Sequence, residues 1–308
     1  MKILVNEEID RALWNRLAND KTFFRFEWYD AIKQSYALEP LFVLCFEGEK
    51  FALIGSFKTR KGYISMPFVS YSGYLSNDEE ALTELKGYLD SQGIEIDSRD
   101  LLDKEVKSGY VNPIVTIDSF DEFWKNISRN TRNQFRKSEK NGFIFDENGK
   151  FDDFYKLYSL GMRNLGTPVH SKRYFDELRE RFDTSIFSIF DGDRVIGSMF
   201  CIADSQTLSI LYAYVLPEYS KRYANYYLYL NVVRWIADNG LKYMDMGRST
   251  YGVGTYHFKK KFKPKFYAIN SKINYTNSSI MKLASEIWKR LPLCVANFLG
   301  PKLRKFLP

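Results

Sequence analysis

The chain passes twice through one order of elements (helices, antiparallel strands, a single helix, then strands), and that internal echo narrows its possible folds more than any other feature. In the first pass, apolar spacing at Ile9, Leu13 and Leu17 and at Trp28 and Ile32 predicts helices over residues 7–18 and 26–36. Residues 41–46 and 51–57 flank Glu47-Gly48-Glu49-Lys50 as a hairpin. Strands are expected around 63–68 and 71–75, then a helix over 78–91 closed by Gly93, then strands at 94–98 and 112–117. The second pass opens on a capping box, Ser119 with Glu122, and one helix is expected from there to Lys140. Helices over 152–162 and 171–182 follow, then strands 186–190, 194–203 and 207–216, a helix over 224–238 ending at Asn239-Gly240, and strand 241–246. A duplicated α/β (α+β) unit is the economical account.

Composition agrees. At 308 residues the chain has room for two domains, and 45% hydrophobic with 27% charged residues is ordinary globular usage. The 25 Phe, 22 Tyr and 5 Trp suggest sheets with a semi-polar face or a cleft that grips a ring-shaped or flexible ligand. Three scattered cysteines without a CxxC pair and two histidines argue against a disulfide scaffold and against a metal site. The opening residues are mixed and charged, and no apolar run approaches the ~18 residues of a spanning helix. A reduced cytoplasmic protein is expected. The net charge is +7, and residues 281–308 hold six cations against a single Glu286, so the basicity belongs mostly to the tail rather than to a surface for coating nucleic acid.

Five constellations can carry chemistry. Lys125, Arg129, Arg132, Arg136 and Lys140 share one arc of the expected 119–140 helix, a row suited to phosphates or simply a solvated face. Lys221, Arg222 and Asn225 stand at the start of the 224–238 helix, whose free N–H groups favour an anion; the alternative is a basic loop. Asp245-Met246-Gly247-Arg248-Ser249 leads to Gly252-Val253-Gly254 and the basic run His257-Phe258-Lys259-Lys260-Lys261. Its glycines permit close backbone approach, and Asp245 either orients an amine or pairs with Arg248. Arg163-Asn164-Leu165-Gly166-Thr167-Pro168 reads as a helix end. Residues 291–301 are uncharged between basic flanks, which fits a segment lying on an anionic membrane or one packed on the body.

Together these segments resemble the Fem-type (FemAB-like) acyltransferases, tandem GNAT-fold proteins that include aminoacyl-tRNA-dependent enzymes of peptidoglycan cross-bridge synthesis. The resemblance rests on Phe23…Trp28, Met66-Pro67-Phe68…Tyr71-Ser72-Gly73, Arg132…Arg136-Lys137…Glu139-Lys140, Phe154-Tyr155…Met162-Arg163…Leu165-Gly166-Thr167-Pro168, Asp245-Met246-Gly247-Arg248-Ser249 and Phe258-Lys259. The tail, Trp288-Lys289-Arg290-Leu291-Pro292, is similar to a subset associated with exopolysaccharide and envelope clusters. The resemblance implies two tandem GNAT-like domains, 1–118 and 119–278, with mixed sheets flanked by helices, and a basic helical tail, 279–308. It implies transfer of an acyl or aminoacyl group, from acyl-coenzyme A or aminoacyl-tRNA, to an amine of a sugar or lipid-linked glycan precursor. Lys259 and Asp245 are then the catalytic pair. Arg248, Ser249, Arg132, Arg136, Tyr71, Ser72 and Arg163 line the substrate, and Lys221, Arg222 and Asn225 hold the donor. Peripheral contact of 281–308 with the inner membrane face and a contact with tRNA also follow. A silent protein that binds an anionic glycolipid is the rival of another class. Two departures stand out: residues 220–225 lack the glycines of the usual coenzyme A loop, and no long helical arm is inserted.

Overall fold

The computed structural model describes residues 1–19, 21–104, 107–271 and 279–307. In the first unit β1 (Lys2–Val5) leads to α1 (Arg11–Leu17) and α2 (Glu27–Tyr36), then β2 (Pro40–Glu47), β3 (Lys50–Thr59), β4 (Gly62–Ser65), β5 (Leu75–Ser76), α3 (Glu79–Ser91) and β6 (Ile96–Asp97). The sheet runs β1-β2-β3-β4-β6, with β5 beside β3. Its strands are antiparallel except for the β4–β6 pair, which is parallel. Local chemistry starts the helices: the Asp10 carboxylate caps α1 and that of Asp78 caps α3. The strand expected at 71–75 is reduced to β5 at its end: residues 66–70 bend ahead of it, and Ser72 makes a single parallel bridge to Asp100.

The chain then crosses to the second sheet with β7 (Leu101–Leu102) and β8 (Tyr110–Thr116), ahead of residue 118. There follow α4 (Phe120–Asn126), α5 (Arg129–Glu139), β9 (Ile144–Asp146), α6 (Phe151–Leu165), α7 (Lys172–Arg181), β10 (Asp183–Asp191), β11 (Arg194–Ala203), β12 (Thr207–Val215), α8 (Ala224–Asp238), β13 (Tyr243–Asp245), β14 (Ser249–Thr250), α9 (Gly254–Lys260) and β15 (Lys265–Ile269). The strand order is β7-β15-β8-β13-β12-β11-β10-β9, with β14 against β8. Here too one pair, β12–β13, is parallel. The two units therefore repeat one plan, a mixed sheet with helices on its faces.

The helix expected over 119–140 is two helices. Ile127 is extended and buried, and the Ser128 hydroxyl accepts the Thr131 N–H to start α5. A second serine cap nine residues after Ser119 ends the first helix, so Lys125 leaves the basic arc. The segment 254–260, expected as loop and basic run, is helical.

Aromatic residues also meet between the units. One buried cluster holds Trp14, Phe26, Trp28 and Phe42 of the first unit with Phe154, Tyr174, Phe175 and Phe200 of the second. Trp28 lies 4.8 Å from Phe182 and Phe68 5.1 Å from His170, ring to ring. The Thr22 hydroxyl donates to Asp204 across the same seam at 2.9 Å. The tail forms α10 (Ser279–Lys289) and α11 (Leu293–Arg304), both packed on α6. Gly300 lets α11 approach the segment after α6 closely, since a Cβ there would sit 2.6 Å from Val169 Cγ2. Among the described residues no helix is long and apolar enough to cross a membrane.

Candidate active site

β13 ends at Asp245, and the chain turns through Met246-Gly247-Arg248 into β14. Gly247 has φ +71°, and a Cβ there would meet the Ile210 carbonyl at 3.0 Å, so the turn is open to glycine almost alone. α9 returns over this turn. The Lys259 ammonium donates to the Gly247 carbonyl at 2.7 Å and to that of Arg248 at 3.3 Å. Lys259 is only 8% exposed, and burial brings its pKa down from 10.5 to about 8, against the pull of Asp245. An ammonium has three N–H donors, and two are spent on these carbonyls.

Asp245 is 1% exposed. Its Oδ1 accepts the Asn112 side-chain N–H at 2.7 Å and the Gly247 backbone N–H at 2.8 Å, which locks the turn. Burial raises the Asp245 pKa, and the Gly247 and Asn112 hydrogen bonds and the Lys259 charge oppose the rise. Tyr71 is pushed well above its usual range, first by burial and then by the Asp245 charge. Three buried oxygens of this centre lack a hydrogen-bond partner: Asp245 Oδ2, Asn112 Oδ1 and Ser249 Oγ. Orphaned polar atoms are costly in a core, and three together mark a place kept for something other than packing.

Two cavities adjoin the centre. One of ≈ 850 Å³ includes Tyr71, Ser72 and Ser209, the last paired in register with Asp245 across β12 and β13. The other, ≈ 980 Å³, includes Arg248 and Tyr110 and is walled by the tail. Arg248 bridges the two features: its N–H donates to Ser70 Oγ at 3.0 Å, its carbonyl receives Lys259, and its guanidinium lies 4.9 Å over the Tyr110 ring.

The other expected residues stand elsewhere. Arg132 folds back and donates to the carbonyls of Trp124, Lys125 and Ile127, sealing the end of α4. Arg136 is exposed, 5.6 Å over Trp124. Arg163 bonds Asn164, which in turn donates to the Tyr214 hydroxyl. The Ser72 hydroxyl donates to the Phe23 carbonyl. Arg222 grips Asp191 two-pronged and also donates to the Asn141 side chain and carbonyl, tying α5 to β10. Lys221 is exposed and Asn225 half-buried at the start of α8. Sequence reasoning missed Asn112, Tyr110 and Ser209. A lone Asn in the apolar run Tyr110–Thr116 was the legible signal for the first.

Residues 125–260 match the acetyltransferase (GNAT) domain family. No curated protein matches the sequence. Among solved structures, FemX superposes with a TM-score of 0.65 at 12% identity, covering 88% of this chain and 96% of that one. The C-terminal domain of a putative lysylphosphatidylglycerol synthetase from Agrobacterium fabrum gives 0.53 at 10% identity, covering 89% and 95%. A tandem GNAT protein from the clavulanic acid biosynthesis pathway gives 0.53 at 7% identity, covering 89% and 99%. With the duplicated sheets described above, these matches give the chain a tandem GNAT-like fold and make it an acyltransferase whose acetyltransferase (GNAT) segment includes both Asp245 and Lys259.

Proposed function

We propose that the protein moves an acyl or aminoacyl group from an activated donor to an amine of a cell-envelope or polysaccharide precursor, with Lys259 at the reacting carbonyl. The supporting observation is the buried Lys259 ammonium, held by the Gly247 and Arg248 carbonyls with one N–H unspent, under a turn whose Arg248 lines the tail-walled cavity. As the amine nitrogen bonds to the carbonyl carbon, charge develops on the carbonyl oxygen. The third N–H of Lys259 then stabilises that charge more than it stabilises the ground state. Collapse breaks the bond to sulfur or oxygen, and the nitrogen's proton leaves as the thiol or hydroxyl departs. Asp245 acts in this reading as a positioning residue, fixing the turn and keeping Lys259 charged at neutral pH. Arg248 faces a phosphate or carboxylate of substrate. Lys221, Asn225 and the first N–H groups of α8 meet the donor phosphates, with Arg222 as the buttress of that loop.

Lysine joined to phosphatidylglycerol in the name of one structural neighbour, and the likeness to FemX, favour an aminoacyl group and an envelope acceptor. Lys259→Ala is expected to lower turnover about 10²–10³-fold with the circular-dichroism spectrum unchanged, as for loss of an oxyanion donor. The assay offers acetyl-coenzyme A and charged tRNA in parallel against amino-sugar acceptors. Activity with charged tRNA alone assigns an aminoacyl donor. Full turnover by the alanine variant removes Lys259 from the chemistry.

A further inference from the structure

We propose that the tail-walled cavity is a site for the phosphate of a membrane lipid, completed when α10 and α11 dock on α6. Binding stands on the cavity itself; delivery of the bound lipid's headgroup to Lys259 rests on the transfer reading above.

Cations from three distant stretches converge on this cavity: Arg60 from the β3–β4 turn, Arg248 after β13, and Lys282, Lys289 and Arg304 from the tail. The single acid in its wall, Glu286, is already bonded to Lys289. Arg304 is set by its Nε donating to His170 Nε2 at 3.0 Å and by the Phe68 ring, 5.8 Å beneath its guanidinium. His170 is fully buried, and burial with the Arg304 charge holds its pKa well below the usual range, so it stays a neutral acceptor. The remaining Arg304 N–H groups have no hydrogen-bond partner among the described residues. Arg60 stacks 3.8 Å over Phe306 with no carboxylate in ion-pair range among those residues. Trp288 lines the same wall, nine-tenths buried, and its indole N–H lacks an acceptor. The guanidiniums of Arg60 and Arg304 and an indole N–H, with N–H groups that find no acceptor among the described residues and collected in one concave site, suit a phosphate.

The apolar half decides which phosphate. Leu165 and Leu303 belong to the wall and are themselves exposed. Further out on the tail Leu283, Ile287 and Phe298 are 63%, 55% and 67% exposed. A water-soluble phosphate would leave these side chains in water, whereas a lipid covers them with acyl chain as its headgroup enters among the cations. A site of this kind also brings an envelope acceptor to a protein that has no spanning helix among its described residues.

Co-sedimentation of the full chain with vesicles tests this, using phosphatidylcholine alone and phosphatidylcholine containing phosphatidylglycerol. Binding is expected only to the anionic vesicles. Arg60→Ala with Lys282→Ala should weaken it about tenfold or more. Leu283→Ser with Ile287→Ser and Phe298→Ser should abolish it, and millimolar inorganic pyrophosphate should compete. Lys259→Ala should bind as the wild type does, so loss of transfer and loss of binding are read separately. Equal binding to both vesicle types, or anionic binding untouched by the Arg60/Lys282 pair, overturns the site. Pyrophosphate binding measured by calorimetry, without any vesicle binding, assigns the cavity to a soluble phosphate and overturns the lipid.

Discussion

Lys259 shows how a single buried cation sets a pH response. Its folded pKa of about 8 lies below the usual 10.5, so between those values the unfolded chain binds more protons than the folded one. Stability must therefore rise with pH across that window, and Lys259→Met should remove the rise in a series of urea melts. Activity runs the other way if the charged form serves the oxyanion: turnover should fall as pH passes about 8, and Lys259→Arg should move that fall to higher pH while keeping partial activity. Gly247 is the other residue with a sharp expectation. An alanine there needs φ +71° and a contact at 3.0 Å from the Ile210 carbonyl, so Gly247→Ala should lower turnover and destabilise by about 1–3 kcal/mol, measured by denaturant titration.

Elements here are joined by arginines that a sequence presents as ligand-binding groups. Arg132 ends α4 by capping three carbonyls, and Arg222 bridges the end of α5 to the end of β10. The Arg222–Asp191 pair is over a third exposed on the arginine side, so solvent screens it and its contribution to stability is small. Arg222→Ala is expected to shift Tm by a few degrees and leave donor KM within about twofold. A large rise in KM with unchanged Tm would instead make the side chain a ligand of the donor. The basic arc read along 119–140 failed for a local reason. The apolar spacing continues across Ile127, but the Ser128 cap starts a new helix there with a new phase.

At the scale of the molecule, the two units are not independent bodies. Their aromatic side chains interleave in one cluster, and β7 and β8, which follow the first unit in sequence, hydrogen-bond within the second sheet. Trp28, fully buried and 4.8 Å from Phe182 of the second unit, tests this: Trp28→Ala should cost about 3–5 kcal/mol and melt the whole chain in one cooperative transition. Two separated transitions in calorimetry would mean that the seam contributes little. Among the many Phe and Tyr residues, Phe26, Tyr36, Phe42, Phe154, Tyr174 and Phe175 belong to this shared core.

Element order, the Ser119 cap and the first hairpin were legible because each depends on neighbours within a few residues: Ser119 and the Glu47-Gly48-Glu49-Lys50 turn act locally wherever they occur. The tandem plan followed from that order, and Lys259 and Asp245 stood out through motif resemblance. The sequence could not show that Asn112, more than 130 residues from Asp245, completes its hydrogen bonding, or that Arg60 and Arg304 face one cavity. Nor could it show which cations were already spent on carbonyls and carboxylates. Those facts depend on long-range sheet register and helix docking, where burial and the satisfaction of polar groups are settled only once all partners are in place.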